Sequence, residues 1–160
     1  MPTRAWIVPG PEWKVVAAEL RVVENQLPDW LEAEMDDAID PVVRRVKAAA
    51  LRVDVQGGPA GHTGLRGRVA SGVGVRKGVS TKGSAYFRIF SEMNTNPERP
   101  IPRGMDTEKG WRHPLFGNRD FWFQSRPVRS GWFTDTIGDS GDDIEARLAR
   151  ALDFAINRLG

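Results

Sequence analysis

Leu65 to Ser91 reads LRGRVASGVGVRKGVSTKGSAYFRIFS, and the parsing of this stretch decides the fold. Leu65, Val69, Val73 and Val75 occupy odd positions, while Arg66, Arg68, Gly72, Gly74 and Arg76 occupy even ones. A period of two predicts a half-buried strand with a basic, glycine-rich outer face. The segment KGVSTKGS turns the chain, and Ala85 to Ser91 returns as a second strand rich in aromatic and β-branched residues. The pair forms an antiparallel hairpin with a long tip.

A hairpin with one apolar face needs a cover, and the flanking sequence supplies it. Asp29 is placed to cap a helix whose Leu31, Met35, Ala38, Val42, Val46 and Ala49 recur at steps of three and four, the mark of one buried stripe. Its acids come early and Arg44, Arg45 and Lys47 late, which complements the helix dipole. Pro41 removes a backbone donor within it and predicts a kink, or a restart capped by Asp40. At the other end, Asp139 or Ser140 caps a helix with Ile144, Leu148, Ala151 or Leu152, Ala155 and Leu159 on one face. The fold class expected is α+β: a small antiparallel sheet with a long hairpin, packed on one face by a kinked long helix and a C-terminal helix. Before this unit, Met1 to Pro11 reads as an extended arm and Glu12 to Leu27 as a further helix. The 160 residues suit a single domain carrying that N-terminal arm.

Trp111 to Phe133, WRHPLFGNRDFWFQSRPVRSGWF, is the aromatic centre of the chain. Prolines and glycines set its path, and Phe121 to Gln124 reads as a short strand able to join the hairpin. Its rings either close the hydrophobic core or anchor a protein interface, where Trp, Phe and Arg are enriched. Glu92 to Gly110, which precedes it, has three prolines and no periodicity, so it reads as a long excursion.

Composition narrows the functional classes. There is no cysteine, hence no disulfide framework and no thiolate metal site. No run reaches the length of a membrane span. Lys and Arg total 23 against 21 Asp and Glu, so bulk charge argues little for nucleic acid. The distribution is more informative. Leu65 to Lys82 carries Arg66, Arg68, Arg76, Lys77 and Lys82 without an acid, and Glu32 to Asp40 carries five acids without a base. Opposite charges on separate surfaces would suit head-to-tail contact between copies.

Catalytic chemistry is not spelled out. His62 and His113 sit in loops without a second ligand at metal spacing, and His113 reads as a structural residue bonded to backbone. The glycines from Gly57 to Gly83 lack the lysine and the following helix that make a phosphate loop work. The paired acids Asp36 and Asp37, or Asp142 and Asp143, already have a role at helix starts. A binding or assembly protein, not an enzyme, without cofactor or metal, is the expectation.

Taken in order, these features resemble the tail-completion, or head-to-tail joining, proteins of long-tailed bacteriophages. The likeness rests on VVRRVKAAA ending the long helix, HTGLRGRVASGVGV after a loop, and RHPLFGNRDFWFQSRPVRSGWF before the acidic-capped C-terminal helix. Thr63, Gly64 and Leu65 are similar to a motif that opens a strand in that family. His113, Pro114, Phe116 and Gly117 match another of its elements, and Gly131, Trp132 and Phe133 a third, with Ser130 where the family has proline. The resemblance spans roughly residues 29 to 158. It implies a structural virion protein of the neck, made in the host cytoplasm and assembled as a homo-oligomeric ring, a hexamer by family likeness. The expected neighbours are other neck proteins and the tail tube protein, with DNA passing the lumen unread and no membrane involved. On this reading Trp122, Trp132, Arg126 and Arg129 serve packing and subunit contacts, and Arg66, Arg68, Arg76 and Lys77 face an acidic neighbour or the DNA. A tail terminator or head-closure ring is the alternative within the neck. A nucleic-acid-binding module using the basic hairpin is the alternative outside it.

Overall fold

The computed structural model describes residues 3–7, 29–56, 64–79, 85–95, 98–115 and 118–159. The expected helix over Glu12 to Leu27, His62, Lys82, the tip of the first hairpin, and Phe116 with Gly117 lie outside the described residues.

The chain is an α+β protein with two small antiparallel sheets and helices packed against them. Helix α1, Asp29–Leu51, is the central element. It runs through Pro41 as one helix, so no restart occurs there. It also continues past the arginines to Leu51, which leaves no basic residue in its last turn. The expected stripe is the buried one: Met35, Ala38, Val42 and Val46 are buried, joined by Ile39 and Ala50.

The first sheet has the order β1–β4–β3, with β1 Thr3–Ile7, β3 Val73–Val79 and β4 Ala85–Ser91. The expected hairpin is β3 with β4, paired from Val73 opposite Ser91 to Val79 opposite Ala85. The arm finds its partner in its own chain, because β1 lies antiparallel on β4 with Thr3 opposite Ser91. Val73, Phe87 and Ile89 are buried on the face covered by α1.

Two expectations fail here. Leu65 to Ser71 is a helix, α2, and not the start of a strand. Its entry residue Gly64 has φ 67°, so the glycine of the strand-opening motif opens a helix instead. The misreading has a physical origin, since Leu65, Val69 and Val73 are four apart. That step is even, as in a strand, and also i, i+4, as on a helix face. Burial of Val69 and Ala70 against α1 decides in favour of the helix. Secondly, the strand near Phe121 does not join the first hairpin. It is part of β6, Asn118–Pro127, which pairs with β5, Trp111–Leu115, and with the short β2, Val55–Gln56, in a sheet ordered β2–β6–β5.

The excursion before β5 holds helix α3, Ile101–Asp106, with Ile101, Pro102 and Met105 buried. After β6 come the short α4, Thr134–Gly138, and the long α5, Gly141–Leu159. Helices α1 and α5 are antiparallel: Trp30 meets Phe154 edge-on at 6.1 Å at one end, and Arg45 meets Asp143 at the other. Ile144, Leu148 and Ala151 are buried, as expected for the first part of the C-terminal stripe; the side chains of Leu152, Ala155 and Leu159 lie outside the described ones. Ser140, just before α5, accepts from Arg45 at 3.2 Å and donates to the Thr136 carbonyl at 2.7 Å.

Candidate functional site

The aromatic stretch divides between core and surface. Trp111, Trp132 and Phe133 are in the core. Trp132 and Phe133 meet edge-on at 5.4 Å, and Trp132 Nε1 donates to the Pro102 carbonyl at 3.2 Å. Trp132 is therefore a packing residue; the expectation that it reaches a subunit contact is corrected, because its surface is spent inside the fold. His113 is half-buried beside Phe123, with Nε2 3.0 Å from Ser125 Oγ and Nδ1 3.3 Å from the Pro114 carbonyl. A carbonyl only accepts, so this arrangement suits an Nδ1–H ring whose Nε2 accepts from the serine. That is a structural role, as the sequence suggested.

The outer part of the β5–β6 hairpin is different. Every residue from Asn118 to Trp122 is exposed, although strands normally bury one face. The last fully buried side chain before that tip is Ser125, and the ribbon beyond it extends roughly 20 Å at about 3.3 Å per residue. Phe121 is 65% exposed and Trp122 48%. Trp122 Nε1 donates to the Arg119 carbonyl at 2.8 Å, and the Arg112 guanidinium lies 5.9 Å from its ring centre. The tryptophan is thus held in place while its face stays in water. Arg126, on β6, and Arg129, just after it, are exposed. Sequence reasoning singled out Trp122 but not Phe121. The signal for it is that NRDFW offers no inward apolar alternation.

The other expected contact residues have intramolecular partners. Arg66 lies 3.5 Å from Asp54, Arg68 donates to Glu98 at 2.8 Å, and Arg76 lies 3.9 Å from Glu92 with its guanidinium 5.0 Å from the Phe90 ring centre. Lys77 donates to Asp36 at 2.6 Å and lies 3.8 Å from a Glu32 carboxylate oxygen. Lys77 shares the inner face of β3 with Val73 and Val75, which is why it reaches α1 and Arg76 does not. The acidic and basic segments therefore meet at Lys77 instead of lying on separate surfaces.

Beside the Arg68–Glu98 pair is a cavity of about 500 Å³ lined by Ser71, Glu92, Asn94 and Thr95 among others. The Thr95 hydroxyl, donating to Glu98 at 2.7 Å, does most to hold that carboxyl below its ordinary value of 4.5; partial desolvation opposes it, and Arg68 adds to the lowering. A depressed folded pKa means stabilisation that is complete above the unfolded value and is lost as pH falls through the folded one. The tie between α2 and the Thr95 segment should therefore release below pH 4.5. In a carboxyl NMR titration, Glu98 is expected to titrate below the ordinary range in the native protein and to move up in Arg68→Gln. An unmoved midpoint would remove Arg68 from the tie.

Among the described residues no group of three or more metal-ligating side chains comes together, and no helix is long and apolar enough to cross a membrane. No protein-family model matches the chain, and no curated protein or solved structure matches it.

Proposed function

We propose that the chain is a structural component of a phage neck, joining or completing the tail at its head-proximal end as a ring around the DNA passage. The observation that carries this reading is the β5–β6 hairpin, which holds Phe121 and Trp122 in water among Arg112, Arg119 and Arg126. Exposed aromatics with an arginine rim are the composition of protein interfaces. The sequence resemblance supports the reading from the other side, since its His113-Pro114 element lies in β5 of this hairpin. A tail terminator or head-closure ring would use the same surface in another layer of the neck.

The nucleic-acid alternative draws on the basic segment from Leu65 to Lys82. Its described cations are engaged by Asp54, Glu98, Glu92 and Asp36, which leaves less free charge for phosphates than the sequence suggested. The assembly reading is accordingly the one we hold.

Electron-microscopy reconstruction of the particle that carries this chain tests the proposal. Density for the chain is expected as a ring between the capsid connector and the tail tube. Its absence from the particle would overturn the proposal, and salt-dependent binding of duplex DNA by the isolated protein would then favour the alternative.

A further inference from the structure

The charges that remain after intramolecular pairing are sorted along α1. With 23 residues at 1.5 Å each, that helix is about 34 Å long. At its C-terminal end the chain passes into β2, which pairs with the base of β6 through Val55 opposite Pro127, and Val128 donates to the Asp54 carbonyl at 2.7 Å. The β5–β6 hairpin is therefore anchored at this end. Trp111 to Arg129 contains Arg112, Arg119, Arg126 and Arg129 against Asp120 alone. None of these arginines has an ion pair among the described residues.

The N-terminal half of α1 has the opposite character. Glu32 and Asp36 are engaged by Lys77, but Glu34 and Asp37 have no ion pair among the described residues. They follow Trp30 at i+4 and i+7, so they share its side of the helix. That side faces the end of α5, where Phe154 packs on Trp30 and is still 40% exposed. An apolar ring beside two carboxylates thus stands near the start of α1, and an apolar ring beside arginines on a hairpin rooted at its C-terminal end.

On the hairpin, the register opposes Arg112 to Gln124, so Arg112, Trp122 and Arg126 lie on one face of the ribbon. We propose that this face docks on the α1–α5 corner of a second copy, with Trp122 against Phe154 and the two arginines facing Glu34 and Asp37. Phe121 points from the opposite face and is not part of the contact. Since the two surfaces are different and each copy carries both, the contact can repeat head to tail from copy to copy. The inference rests on the assembly reading and names its subunit contact.

The full chain is tested by sedimentation velocity over a concentration series, at low and high salt. Wild type is expected to self-associate, more weakly at high salt. Arg112→Glu with Arg126→Glu, Glu34→Lys with Asp37→Lys, and Trp122→Ser alone should each weaken association roughly 10- to 30-fold while melting as wild type does. Mixing the two charge-reversed proteins should restore a 1:1 complex, because each supplies the surface the other has lost. A contact that set like surfaces against each other, hairpin on hairpin or corner on corner, would not behave so. Wild type that stays monomeric at every concentration, charge variants that associate normally, or a mixture that remains monomeric would overturn the contact. If the monomer shows the Phe154 face protected from exchange by residues 8–28, that segment is the occupant and the proposal fails. These results are independent of the particle reconstruction, so the contact and the neck assignment can fail separately.

Discussion

Asp106→Ala is expected to destabilise the protein by about 3 to 5 kcal/mol, because two backbone donors would lose their acceptor inside the fold. Asp106 is 8% exposed, and its Oδ1 accepts from the amides of Phe133 at 2.7 Å and Thr134 at 3.2 Å. Those amides stand at the start of α4, where no residue of the helix itself can satisfy them. The Asp106 carbonyl also accepts from Gly131 at 2.9 Å, so one residue of α3 holds the whole turn that carries Trp132 and Phe133 into the core. The carboxylate acts as a helix cap supplied from elsewhere in the chain. Asp106→Asn keeps an oxygen in place and should lose less than half as much. Urea unfolding followed by tryptophan fluorescence measures both. An alanine variant within 1 kcal/mol of wild type, or an asparagine variant as damaged as alanine, would show that the carboxylate is not what holds the turn, on the usual scale for an unsatisfied buried donor.

Gly110→Ala should be comparably severe, by a different route. Gly110 has φ 69°, a conformation that costs an L residue about 1 to 2 kcal/mol. A Cβ built there would stand 1.9 Å from the Ser125 carbonyl oxygen and 2.9 Å from the Arg126 Cα. Both obstacles are backbone, and Ser125 is tied to Trp111 in the β5–β6 ladder. No side chain can swing aside, so the strand itself must move and take the buried Trp111 with it. A total loss of about 4 kcal/mol or more is expected, with the hairpin amides losing exchange protection. Gly138→Ala is the control: a Cβ there meets nothing within 4 Å, and the site is helical, so the change should be neutral or slightly stabilising. Equal stability of the two variants would show that the turn at Gly110 relaxes freely.

Long amphipathic segments were legible in the sequence because a helix writes its buried face at a fixed period. Met35, Val42 and Val46, or Ile144 and Leu148, are core by spacing alone. Short segments were not. Seven residues of α2 fit two periods equally well, and only the surface available to Val69 and Ala70 separates them. Strand pairing was legible for β3 and β4, which are neighbours in sequence, but nothing local distinguishes β6 joining β5 from β6 joining the first sheet. The candidate site was half legible for a related reason. Trp122 and Trp132 both stand among arginines and other rings in sequence, and their fates diverge because Pro102, 30 residues away, accepts from the Trp132 indole, and Asp106 accepts from the amide of its neighbour Phe133. The arginines of the basic segment were visible, but the acids that neutralise them come from α1, from Asp54 and from the segments around Glu92 and Glu98.

The seam between β1 and β4 has a bearing on how the chain is made. Strand β1 leaves the ribosome well before the strand that receives it, with Thr3 opposite Ser91 and Ile7 opposite Phe87, because β4 lies about 80 residues later in the sequence. Local pairing of β3 with β4 can proceed as soon as both are out, whereas closing the β1 seam joins distant parts of the chain and carries the entropy of a long loop. Strand β1 is thus expected to dock after the β3–β4 hairpin, onto a sheet edge already formed, which makes this seam the slow step in completing the first sheet. Until it docks, β4 presents an open edge, the kind of surface through which newly made chains exchange strands with one another.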